Sequence, residues 1–321
     1  MIPLDVRTII LLAMKNANEK KHLSKGKKAL IQYSIIAVCA IGVGVGGGII
    51  LKRKLGPVEI DYSGFDSSTF QADSKALLKA YEENPNQDFT AAELVNIGLE
   101  KYRQCENSYS IGVGQASTIV NQSVRNFQIR NGDKYYEEQI SKSSMVSIAN
   151  RVICDSELAT VYRGKAKDTE IPDYPSEPSE LNLTDFKSLW GKTLDEIFIY
   201  IISNDTVDTD KSTVERRDGK IYISLDLDPD IASYNYKLQM KSLSDLSQLP
   251  TFEYLRQSYV FDTDMTILHS DIDEKYVATM SGINATVVNH LDYYYHSNEF
   301  LKIPEIDEIL DYSVKGEKTY E

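Results

Sequence analysis

Cysteine, tryptophan and histidine are scarce in this chain: three, one and four residues among 321. Cys39 sits inside a long apolar run, so only Cys105 and Cys154 are left to pair, and no disulfide scaffold can carry the fold. They bridge if the compartment is oxidising and are ordinary small core residues if it is not. Catalytic signatures are missing as well. The chain has no G-x-S-x-G elbow, no H-E-x-x-H, no C-x-x-C and no P-loop. Gly42 to Gly47 superficially matches a dinucleotide loop, but it lies within an uncharged run and follows no strand. Positive charge is in deficit too, with 35 Lys and Arg against 48 Asp and Glu. Residues 1–54 hold ten basic and two acidic side chains, so residues 55–321 carry 25 and 46, a net of −21. A part this acidic is repelled by phosphate backbones, which excludes nucleic acid as a partner.

Histidines give no metal site by spacing. His22 precedes the apolar run, and His290 and His296 share a strand face six residues apart, roughly 20 Å at strand rise. His269 and Asp271 are neighbours on one face, but two ligands do not make a site. The acidic pairs are Asp226, Asp228 and Asp230, Asp262 and Asp264, and Asp271 and Asp273. They repeat at i, i+2 without the central glycine of a calcium loop, and read as solvated strand faces. The expectation is no catalytic residue, no cofactor and no metal: a protein that is not an enzyme.

What the chain does have is the run Ala29 to Leu51, twenty-three residues without a charge, bracketed by Lys25, Lys27 and Lys28 and by Lys52, Arg53 and Lys54. At about 1.5 Å per residue a helix of this length crosses the roughly 30 Å hydrocarbon core of a bilayer. A cleaved signal peptide would have a shorter core and a small-residue exit. The basic excess ahead of the run places residues 1–28 in the cytoplasm and the rest outside, on a single-pass plasma-membrane protein. Ala40, Gly44 and Gly48 recur every four residues, a spacing that would let two membrane helices pair into a homo-oligomer. Four N-x-S/T sequons, at Asn121, Asn182, Asn204 and Asn284, are incidental if the protein is bacterial, as we read it.

Residues 52–70 form a spacer, and residues 71–321 an extracytoplasmic domain. Ser74 to Glu83 has helical character, and Thr90 with Glu93 makes a capping box for a second helix carrying Leu94, Ile97 and Tyr102. From Ser108 to Arg163 the period falls to two, giving five strands. Residues 164–183 contain three prolines and form a loop or lid. Thr184 to Ile202 has the pattern of a helix with Phe186, Leu189, Trp190, Leu194, Ile197 and Phe198 on its apolar face. Strands return at Thr213–Arg217 and Lys220–Leu227 around an Asp218-Gly219 turn, with Ile221, Ile223, Leu225 and Leu227 facing inward. Tyr234–Lys241, Glu253–Asp262, Met265–Tyr276 and Gly282–Ser297 continue the strand pattern. Many antiparallel strands with a few segregated helices are the signature of an α+β domain. One large curved sheet with covering helices satisfies it with the fewest assumptions, although the two strand runs could also be separate small domains.

The order of elements resembles the half-barrel of the periplasmic lipoprotein carrier LolA and the LppX/LprG-type lipoproteins. Three features carry the likeness: Leu189-Trp190-Gly191 through Tyr200-Ile201-Ile202, the Asp218-Gly219 turn, and the strand pair around Pro250. It covers about residues 90–297, with a membrane helix where those proteins have a lipoprotein cysteine. The resemblance implies an apolar cavity for acyl chains between the concave face and its helices. Its candidate lining is Trp190, Ile197, Phe198, Ile221, Ile223, Leu225 and Leu227. A lipid-binding or lipoprotein-handling protein is the leading expectation, and a non-catalytic docking component of a cell-envelope complex the alternative.

Overall fold

The computed structural model describes residues 61–305 except 118–120, 144–146, 156, 167–171, 175–176, 191–192, 194–198, 244–245 and 281–282. The expected anchor, residues 29–51, lies outside the described residues. Among those described, no helix is long and apolar enough to cross a membrane.

Helix α1 (Ser74–Glu83) starts where the Asp73 side chain accepts the Ala76 amide. Helix α2 (Ala91–Arg103) has the expected capping box: Thr90 Oγ1 accepts the Glu93 amide at 3.2 Å, and Glu93 accepts the Thr90 amide at 2.8 Å. The chain then runs up and down through β1 (Asn107–Ser117), β2 (Asn121–Asn131), β3 (Lys134–Lys142), β4 (Ser147–Asp155) and β5 (Leu158–Ala166). The short β6 (Pro172–Asp173) and β7 (Ser179–Asn182) both pair with β5. After α3 (Leu183–Trp190) come β8 (Thr213–Arg217), β9 (Lys220–Leu227), α4 (Tyr234–Leu243), β10 (Thr251–Asp262), β11 (Ile267–Met280) and β12 (Ile283–Ser297). Asp218 and Gly219, at φ of 52° and 72°, make the tight turn between β8 and β9, as the sequence led us to expect.

All twelve strands belong to one antiparallel sheet, because β1 pairs along ten residues with β12 and joins the two strand runs. The α+β expectation is therefore corrected. The described chain is mostly one large antiparallel sheet, and its four α-helices, 8 to 13 residues long, make no layer of their own. Two elements also differ from expectation. Tyr234–Lys241, expected as a strand, is helical: Tyr236, Lys237, Gln239 and Met240 are its buried residues, a spacing of one helix face. The helix expected over Thr184 to Ile202 ends at Trp190 within the described residues, and residues 199–202 are not helical.

An open sheet this wide curls rather than staying flat. The core shows it: Leu94, Val95 and Ile97 of α2 share one cluster with residues of β1, β2, β9, β10, β11 and β12. Gly98 permits the closest approach, since a Cβ there would lie 2.1 Å from the fully buried Phe261 ring. The side covered by α2 and α3 is called the inner face below. The opposite face is covered near β1–β4 by Leu301 and Ile303 of the C-terminal segment. Residues 61–70, expected as part of a spacer, fold onto the body: Tyr62, Phe65 and Phe70 form an aromatic group with Tyr234 of α4.

Candidate functional site

The inner face has two chemistries. Along β9 and β10 it is apolar, and Ile221, Ile223, Leu225 and Leu227 are all nearly inaccessible in the cluster built on α2. These four residues do not share a cluster with Trp190. Trp190 stacks on Phe186 at 5.0 Å and packs with Tyr135, Val152, Cys154, Ala159 and Val161 at the other end of the sheet. The two groups expected to enclose one cavity thus belong to different clusters, and Ile197 and Phe198 lie outside the described residues. Cys105 and Cys154 are not bridged.

Between those ends the inner face mixes polar with apolar residues. Gln122 and Asn126 of β2, Glu137 and Gln139 of β3, Gln257 of β10, Glu274 of β11 and Asn289 of β12 are all buried. Tyr135 and Gln139 donate to Glu137. Ser141 donates to Gln122 at 2.7 Å, and Tyr259 to Gln257 at 2.6 Å. Asn289 and Tyr200 donate to the two oxygens of Glu274 at 3.0 and 2.7 Å. Burial nevertheless pushes the Glu274 carboxyl up to about 7, against the opposing pull of those hydrogen bonds and of one from Tyr236. Asn126 Oδ1, Gln139 Oε1 and Gln257 Nε2 meet no hydrogen-bond partner among the described residues. These amides and carboxylates interrupt the apolar wall that Val124, Ile272, Leu291 and Tyr293 form on the same stretch.

Among the described residues, open space lies beside α2. One crevice of about 290 Å3 is walled by Leu99, Glu100, Arg103, Ile199, Tyr200 and Asn235, among others. An adjoining one of about 380 Å3 is walled by Ala76, Leu77, Ala92, Glu93 and residues 203–205. Gln71, Ala72, Asp73 and Asn96 line both. Asn96 holds the walls together: it donates to the Ile202 carbonyl at 2.8 Å and accepts from Ser74 at 3.0 Å. Glu100, almost wholly buried, pairs with Arg103. Tyr200 joins the two regions, because it lines the crevice while its hydroxyl reaches Glu274.

Sequence reasoning missed both features. The sequence marks β2 and β3 as strands, but nothing local shows that they are covered on both sides. The crevice is made by segments far apart in the chain.

No protein-family model and no curated protein matches the chain. Among solved structures it is similar to the LolA superfamily protein NE2245 from Nitrosomonas europaea, at 12% identity and a TM-score of 0.25, over 68% of this chain and 96% of that one. It is also similar to the ywiB protein from Bacillus subtilis, at 9% identity and a TM-score of 0.17, over 60% of this chain and 92% of that one. Neither likeness assigns this chain a family or a ligand.

Proposed function

We propose that this is a non-enzymatic, membrane-anchored binding protein of the cell envelope that takes an amphipathic ligand with a single apolar chain into the crevice beside α2. The carrying observation is the pair of adjoining spaces, about 290 and 380 Å3, which share Gln71, Ala72, Asp73 and Asn96. Leu77, Leu99, Ile199 and Ile201 offer apolar wall, and Asn96, Glu100 and Arg103 offer polar groups beside it. Volumes at the small end of the roughly 300–1,000 Å3 usual for small-molecule sites favour one chain over the several of a lipoprotein anchor.

A bulky side chain at the shared wall tests this reading. Ala72→Trp should fill the junction, and lysophospholipid or fatty acid bound to the purified full chain, read by native mass spectrometry, should fall at least about tenfold. Wild-type protein that neither carries nor takes up such a ligand would overturn the reading and promote the docking alternative. Trp190 fluorescence is no reporter here, since that residue packs at the other end of the sheet.

The anchor and the orientation rest on residues 29–51 and their flanking charges. A cysteine introduced at Phe300, which is 68% exposed, should react with a membrane-impermeant maleimide in intact cells. Labelling only after lysis would reverse the topology.

A further inference from the structure

The outer face of β11 and β12 gathers what the sequence keeps apart. In the strand register Asp273 lies opposite His290, and Asp271 opposite Asp292. One ligand atom each from Asp271, Asp273 and His290 lies within 4.8 Å of the others. His290 Nδ1 is 2.7 Å from Asp273, and its Nε2 is 3.2 Å from Asp292. Asp292 in turn meets His269 Nε2 at 3.2 Å. The basic side chains nearby have other partners. Arg256, opposite Asp273 on β10, bonds Asp226 at 3.0 Å, and Lys275 bonds Glu253 at 2.7 Å. Ser258 faces Asp271 from β10, and on β1 Val113 faces Asp292 and Gln115 faces His290.

The geometry points to a divalent transition-metal site in which Asp271, Asp273 and His290 are the ligands and Asp292 orients the imidazole. Two observations support it. Like charges directly opposite on adjacent strands are unfavourable, yet Asp271 and Asp292 stand in that position beside Asp273, an arrangement that a cation reverses. The imidazole is oriented for coordination: Nε2–H can stay donated to Asp292 while a metal displaces the proton that Nδ1 shares with Asp273 at 2.7 Å, which gives the carboxylate–histidine–metal relay of many sites. Neighbouring ligand atoms around a first-row metal sit about 3.0–3.4 Å apart at bond lengths near 2.1 Å, so the cluster closes by small side-chain rotations. A nitrogen donor with two carboxylates suits Zn2+, Co2+ or Mn2+, whereas Ca2+ prefers oxygen alone. The side chain of His290 is half exposed, which leaves a coordination position open to solvent.

The test uses the full chain stripped with EDTA and titrated with Co2+, whose visible absorption reports nitrogen and carboxylate ligation. One equivalent should develop the bands, Zn2+ should bleach them, and Zn2+ but not Ca2+ should raise the melting temperature. His290→Ala and Asp273→Asn should each weaken binding at least about 100-fold, and Asp292→Asn about 10- to 100-fold with the ligands intact. His296→Ala, a change to a histidine bonded to Glu299, should leave the titration unchanged. Absent bands in the wild type, or equal bands in His290→Ala, would overturn the site. An unaltered Asp292→Asn would remove the orienting role.

Discussion

Replacing Glu138 by alanine should destabilise the protein by about 3–5 kcal/mol, the usual cost of leaving one member of a buried ion pair behind. Glu138 and Arg151 stand opposite each other on β3 and β4, with side chains 1% and 2% exposed. Arg151 Nε and one terminal nitrogen both donate to Glu138 Oε2, at 2.9 and 2.7 Å, and Tyr174 donates to the same oxygen at 2.8 Å. The guanidinium is also held near the rings of Tyr174 and Tyr136, 4.8 and 5.5 Å from their centres. The alanine variant strands this cation and the Tyr174 hydroxyl beneath the surface, where neither recovers its water. Replacing both partners, Glu138→Leu with Arg151→Met, leaves no buried charge and should cost far less than the single change. Urea unfolding separates the two. A single variant within about 1 kcal/mol of wild type, or a double variant worse than the single, would refute the account.

That ion pair illustrates where sequence reading stops. Local signals placed α1, the capping box of α2, and the β8–β9 hairpin, because each is fixed by neighbouring residues: Asp73, Thr90 with Glu93, and Asp218-Gly219. Pairing between distant strands has no such signal. Gly112 and Gly114 make room for the β1–β12 contact, where a Cβ would lie 2.6 Å from the Tyr293 ring and 2.1 Å from the His290 carbonyl. In the sequence they are only two glycines in a strand. The register that follows from that contact decides the rest. It unites the two strand runs, and the neighbouring β11–β12 ladder sets His290 beside Asp273. Periodicity marked β3 as a strand but carries no sign that both its faces are covered, with Tyr135 to Ser141 all buried. It misled where a helix face mimics alternation, as on α4. Trp190 shows a related limit: an apolar helix face says that it will be covered, not by which strands.

Glu274→Gln should make the protein more stable above neutral pH and change little in mild acid. The carboxyl is fully buried on β11, and burial raises it from 4.5 to about 7 while Tyr200, Asn289 and Tyr236 hydrogen-bond to it. Between those two values the native state holds a proton that the unfolded chain has released. The stability this group contributes is therefore complete below about pH 4.5, declines as pH rises towards 7, and is lost above it. The decline amounts to about 3 kcal/mol, since each pH unit between the two values is worth about 1.4 kcal/mol. Tyr200, Tyr236 and Tyr276, which face the carboxyl, titrate well above this window and do not offset it. Glutamine is the same size, keeps an acceptor and a donor for Asn289 and Tyr200, and has no charge to desolvate. Unfolding free energies should then differ by about 3 kcal/mol in favour of the variant at about pH 8 and by less than about 1 kcal/mol at about pH 4.5. A variant less stable by the same amount at both values would mean that Glu274 acts through shape and hydrogen bonding, with no proton involved. Because Tyr200 lines the crevice and bonds this carboxyl, the same proton bears on ligand binding. Ionisation of Glu274 strengthens the hydrogen bond that holds the Tyr200 hydroxyl inward, so ligand affinity in wild-type protein should vary between about pH 6 and 8, and in Glu274→Gln it should not.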